Sequence, residues 1–216
     1  MSASCCEQAA DPHRGNASYR RVLWAVLGIN LVMFAVEVVA GLAAGSASLQ
    51  ADALDFLGDA ANYMISLFVV GMALRYRATA ALVKGATMGV FGLWVAGTVI
   101  WHGAHGTLPN AFTMGAVGIA ALIANAASFA ILWAYRSGDA NMRSAWVCTR
   151  NDVLGNLAVL LAALGVFGTK TGWPDLIVAS TMAALPLQGA WIVISQSQAE
   201  LHISAAHDIV KGATSR

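Results

Sequence analysis

The stretch VLWAVLGINLVMFAVEVVAGLA, residues 22–43, is apolar throughout except for Asn30 and Glu37. An α-helix rises 1.5 Å per residue, so about 20 such residues cross about 30 Å of hydrocarbon. A run of this length and composition is a membrane span, and it sets the class of the chain. The same signature recurs along the sequence and predicts further helices at 49–74, 81–101, 112–135, 144–167 and 174–196. The expected fold is all-α, a six-helix transmembrane bundle.

Composition agrees. Of 216 residues, 58% are hydrophobic and 11% charged, with a mean hydropathy of +0.67. Soluble domains carry about 25% charged residues. Disorder, nucleic-acid binding and most soluble enzymes are thereby excluded. A formal net charge of +1 provides no field to steer a polyanion. Cys5, Cys6 and Cys148 do not form a disulfide framework, because two are adjacent and the third falls in an apolar run.

The connectors carry turn chemistry at Gly45-Ser46, at residues 106–110 and at Gly172-Trp173-Pro174. Pro174 suits the first turn of the sixth helix, and Pro186 is expected to kink it. With the N-terminus in the cytoplasm, Arg14, Arg20, Arg21, Arg75, Arg77, Lys84, Arg136, Arg143, Lys211 and Arg216 lie inside. Only Lys170 lies outside, and Arg150 falls within a span. This bias places both termini in the cytoplasm. Residues 1–21 are a polar tail without a cleavage signal, so the first span is expected to be retained. Residues 22–197 form the transmembrane domain, and 198–216 a short cytoplasmic tail.

Ionisable groups inside spans are costly and mark function. Helix 1 carries Glu37, helix 2 carries Asp52, Asp55 and Asp59, and helix 5 carries Arg150 and Asp152. Asp55 and Asp59 are four residues apart and share one helix face, with Asp52 and Asn62 extending the stripe. Two ionised carboxylates this close repel, and in a bundle they need a proton or a cation between them. Cys148 and Asp152 repeat the spacing on helix 5. At 1.5 Å per residue, Asp59 lies about 15 Å below the outer end of helix 2, and Asp152 about 13 Å above the inner end of helix 5. Both pairs fall near the midplane. Asp55, Asp59, Cys148 and Asp152 would make a four-ligand site for zinc or a similar ion. The thiolate disfavours magnesium and calcium.

The segment Ser48-Leu49-Gln50-Ala51-Asp52-Ala53-Leu54-Asp55-Phe56-Leu57-Gly58-Asp59 resembles the second-helix motif of the cation diffusion facilitators. The segment from Met142 to Asp152, with Arg143, Ala145, Cys148 and Asp152, resembles that family's fifth-helix motif. The resemblance implies a six-helix divalent-metal/proton antiporter. It matches Asp55, Asp59 and Asp152 to metal ligands, and Asp52 to a commonly acidic neighbour. Cys148 stands where the family usually has His or Asp. The chain is expected to be a short form without the family's cytosolic C-terminal domain. The implied cargo is zinc first, then cadmium, cobalt or iron. The implied partners are protons, the lipid bilayer and a second copy in a homodimer, with no nucleic acid and no resident cofactor. The positive-inside pattern and compactness suit a bacterial inner membrane.

Plainer roles stand beside these. Asp55 and Asp59 are either ligands, a proton relay or a structural hydrogen-bond cluster, and Cys148 is either a ligand or a packing residue. Asp52, Glu37, Asn62 and Asn151 orient the site or carry protons, while Asn30, Asn62 and Asn156 also suit interhelical hydrogen bonding. His102 and His105, at the outer end of helix 3, either gather metal or sit at the interface. Cys5 and Cys6 would capture soft metal at the entrance, or do nothing. The alternative to transport is a membrane-embedded metal sensor. An enzyme is not expected, because Cys148 has no histidine nearby in a span to act as its base.

Overall fold

The structure is a computed structural model that describes residues 17–69, 72–133 and 140–214, excluding the side chains of 17, 19, 140–151 and 203–214. Six helices follow in order: α1 (Ala17–Ala44), α2 (Ala47–Phe68), α3 (Leu74–His105), α4 (Ala111–Leu132), α5 (Ala140–Thr169) and α6 (Trp173–Thr214). The described residues contain no strand.

Helix ends differ from the sequence expectation in instructive ways. α2 stops at Phe68, and α3 begins at Leu74 rather than 81. Arg75 and Arg77 therefore lie on α3 itself, as Lys84 was expected to. α6 runs through Pro186 and on to Thr214. Apolar runs report contact with lipid, whereas helix formation also follows propensity. Residues such as Ala199, Glu200 and Leu201 extend a helix past the point where hydropathy falls.

The α1–α2 turn is built by Gly45 at φ 64°, a left-handed position that glycine adopts without strain. The amide of Ser46 closes it by donating to the Gly41 carbonyl at 2.9 Å. Ser46 then caps α2, its hydroxyl accepting from the Leu49 amide at 3.2 Å. Asn110 caps α4 in the same way through Thr113, at 3.0 Å.

A buried carboxylate from the far end of the chain completes the α2 cap. Asp175, in the first turn of α6, is 1% exposed. Its Oδ2 accepts from the Ala47 amide at 2.8 Å. Its Oδ1 accepts from the Ser48 amide at 3.1 Å and from the Ser46 and Ser48 hydroxyls at 2.7 and 2.6 Å. The negative charge lies at the positive end of the α2 dipole. Sequence reading did not single out Asp175, because its partners are more than 120 residues away.

Among the described residues, five stretches are long and apolar enough to cross a membrane: 20–44, 74–105, 111–132, 152–169 and 173–202. The chain is a multi-pass membrane protein. α2 does not qualify on composition, since three aspartates lie on it, but it is enclosed by other helices. It packs against α1, α3, α5 and α6, and most of its residues are buried. Protein rather than lipid surrounds its carboxylates.

α3 and α6 form the most extensive pair. Small residues bring them close: a Cβ on Gly92 would lie 2.7 Å from Leu187, and one on Gly85 3.0 Å from Ile194. One apolar cluster, including Leu49, Val95, Met114 and Val166, closes the bundle towards the α2 N-terminus. Another, including Leu23, Val26, Tyr63 and Leu67, closes it towards the α2 C-terminus. The aspartates of α2 lie between these two plugs.

Candidate functional site

The site is a column of carboxylates running down the middle of the bundle. Helical spacing puts Asp52, Asp55 and Asp59 on one face of α2, and enclosure leaves them 1%, 6% and 5% exposed. Asp152 of α5 and Glu37 of α1 are buried to the same degree.

Two carboxyl pairs form across helices. Asp59 meets Asp152 within hydrogen-bonding reach between α2 and α5. Glu37 meets Asp52 in the same manner between α1 and α2. Asp55 lies between the pairs, and a Cβ on Gly155 of α5 would lie 3.7 Å from its Oδ2.

Several of these oxygens lack donors. Both oxygens of Asp152, both of Glu37, one of Asp52 and one of Asp55 are buried without a hydrogen-bond partner. A carboxylate oxygen out of water and without a donor is expensive. Two such groups facing each other require a shared proton or a cation. Oxygen donors in this arrangement suit a divalent ion, with protons as the competing occupant.

Among the described residues, no three His, Cys, Asp or Glu side chains are gathered tightly enough to hold an ion. The conformation instead pairs Asp59 with Asp152 and leaves Asp55 beside them. The thiol of Cys148 lies outside the described residues, as do the Asn151 side chain, Cys5 and Cys6. The backbone of residues 148–152 is helical, so Cys148 and Asp152 share a face one turn apart.

The remaining candidates are placed as follows. Glu37 joins Asp52, on the Asp55 side of the column away from Asp59. Asn62 accepts a hydrogen bond from Lys84 of α3. The amide of Asn30 donates within its own helix, to the Val26 carbonyl at 2.7 Å. Asn156, one turn beyond Asp152, is fully buried with neither polar side-chain atom paired. It is thus not the interhelical tie that its amide suggested. His105 is exposed, stacks on Trp101 and bonds through Nδ1 to the Trp101 carbonyl at 2.9 Å. That bond occupies one of its ring nitrogens, so it does not form a chelating pair with His102 through Nδ1. His102 lines a separate cleft of about 500 Å³ with Gln50, Trp94 and Thr98.

Sequence reading missed Gly155 and the inward turn of Lys84. Gly155 shares the Asp152 face at a spacing of three, a signal that was present. The direction of the Lys84 side chain had none.

Comparison with known proteins agrees with this architecture. The family described as cation efflux transmembrane domain matches residues 23–202. The chain is 30% identical over 208 residues to zinc transporter ZitB of Escherichia coli (strain K12), covering 88% of this chain and 64% of the relative. It is 24% identical over 193 residues to the cadmium, cobalt and zinc/H(+)-K(+) antiporter of Bacillus subtilis (strain 168), covering 80% and 61%. The zinc transporter ttm-1 of Caenorhabditis elegans is 36% identical over 87 residues, or 37% of this chain. The chain thus spans less than two-thirds of the length of these relatives. With a bundle of helices enclosing a carboxylate column and a match over most of its length, the chain belongs to the cation efflux transmembrane-domain family.

Proposed function

We propose that this protein exports a divalent transition metal, zinc first among them, in exchange for protons. The observation that carries this reading is the buried Asp59–Asp152 pair. It consists of two facing carboxyls, with both oxygens of Asp152 lacking a hydrogen-bond partner, between the apolar clusters towards the two ends of α2. Relatives named as zinc transporters and as a cadmium, cobalt and zinc antiporter support the cargo class.

Ligands must shed protons to bind metal, so metal and protons compete for the same oxygens. With the site open inward, Asp55, Asp59, Asp152 and the Cys148 thiolate take up the ion. With the site open outward, protons displace it. The Glu37–Asp52 pair, farther along the column, gives those protons their first stop. The cytoplasmic orientation of both termini follows from the positive-inside bias. A bacterial inner membrane suits the bacterial relatives. A homodimer rests on the family resemblance.

Zinc flux into proteoliposomes under an imposed pH gradient tests the reading. Wild type should transport zinc, Asp59→Asn should lose at least about tenfold, and Cys148→Ala should fall if the thiol is a ligand. Folded wild-type protein that binds zinc without moving zinc, cadmium, cobalt or iron would replace transport with sensing.

A further inference from the structure

Lys84 lies ten residues into α3 (Leu74–His105), about 15 Å along its axis. It stands three residues into the apolar stretch 81–101, where a lysine ordinarily extends its stem along the helix to bring its ammonium back to water. Lys84 turns inward instead. It is half-buried, and its Nζ donates to Oδ1 of Asn62 on α2.

Asn62 follows Asp59 by three residues and shares its face. The ammonium held there stands near enough to bear on the Asp59 charge. The helices are tight at this level: a Cβ on Gly58 would lie 2.9 Å from Met88 Cε. The lysine stem runs along a cleft of about 370 Å³ between α2 and α3, beside Leu57, Ala61, Val83 and Met88. Among the described residues, Lys84 is the only charged one lining that cleft.

We propose that Lys84 is a tethered counter-cation of the transport site, balancing the Asp59–Asp152 pair when cargo is absent and repelling divalent cargo when it is bound. The inference rests on the proposed function and names what tunes its affinity. A carboxylate cluster in a low-dielectric bundle attracts a divalent ion strongly, and an ion held too tightly is never released. A fixed positive charge beneath Asp59 weakens the bound state and stabilises the empty one. Charge interactions at this range are poorly screened once water is excluded. Asn62 serves as the tether that keeps the ammonium in place.

The test is zinc binding by calorimetry on the full chain in detergent at pH 8, where protons compete least. Lys84→Met should bind zinc at least tenfold more tightly than wild type. Lys84→Arg, which keeps the charge, should stay within about threefold. In proteoliposomes, Lys84→Met should lower both KM and kcat, because tighter binding slows release, a split that loosened packing does not produce. Lys84→Gln removes the charge but keeps a polar end for Asn62, and replaces the Met variant if that one is not monodisperse. A charge-free variant with wild-type or weaker affinity overturns the proposal and leaves the transport reading intact. Absence of zinc binding by wild type overturns the transport reading, and this inference with it.

Discussion

Asp175→Ala should loosen the joint between the α2 and α6 N-termini. In the structure its carboxylate accepts hydrogen bonds from two amides and two hydroxyls, at 2.6 to 3.1 Å. Removing it orphans the Ala47 and Ser48 amides in a buried site. Each orphaned buried group costs about 1–3 kcal/mol. The hydroxyls recover part of the loss, because Ser46 and Ser48 are already 3.4 Å apart and can pair with each other. The Leu49 amide keeps its bond to Ser46. The expected net loss is about 3 kcal/mol. At about 2–4 °C per kcal/mol for a domain of this size, Tm should fall by about 6–12 °C. Thermal unfolding in detergent, followed by size-exclusion of the folded fraction, gives the shift. Hydrogen exchange should rise at the amides of Ala47 and Ser48 and stay unchanged at the α4–α5 interface. A Tm within about 2 °C of wild type would refute the reasoning, since the carboxylate would then not be holding the two helices together.

Other outcomes follow from the same geometry. Asn156→Leu removes two unpaired buried polar atoms, so it should raise stability by about 1–2 kcal/mol while reducing zinc flux, measured by paired unfolding and transport assays. Gly155→Val should weaken zinc binding with little change in helicity, because its Cβ would lie 3.7 Å from Asp55 Oδ2 and 3.5 Å from Met182 Cε. Gly92→Ala places a methyl 2.7 Å from Leu187 and should cost about 1–3 kcal/mol. The double variant with Leu187→Ala should recover part of that loss in a thermal-unfolding cycle.

The number and order of the helices were legible because lipid imposes a blunt constraint: long apolar stretches with few charges. α2 was read as a helix too, but its enclosure by the other helices cannot be read from its own composition. Helix ends were less legible. α3 begins seven residues before its apolar stretch, and α6 continues well past the end of its own, because helical hydrogen bonding does not stop at the membrane boundary. At the site, spacings of three and four residues placed Asp52, Asp55 and Asp59 on one face of α2. Which carboxyls meet across helices depends on axial register, so the Glu37–Asp52 pair was not visible in advance. Asp175 and Lys84 were harder still. One was an ordinary acid at a helix start and the other an ordinary lysine near the inner end of a span, until tertiary packing turned them inward.

The central claim is that protons and a divalent metal trade places on the carboxylate column. Its most direct test is proton movement driven by zinc alone. Proteoliposomes carrying a trapped pH indicator, with no imposed pH gradient, receive a zinc gradient. The account predicts that wild type moves protons against the zinc flow and that Asp59→Asn abolishes both fluxes together. Zinc flux with no accompanying proton movement, or an Asp59→Asn variant that exchanges both ions as wild type does, would contradict it.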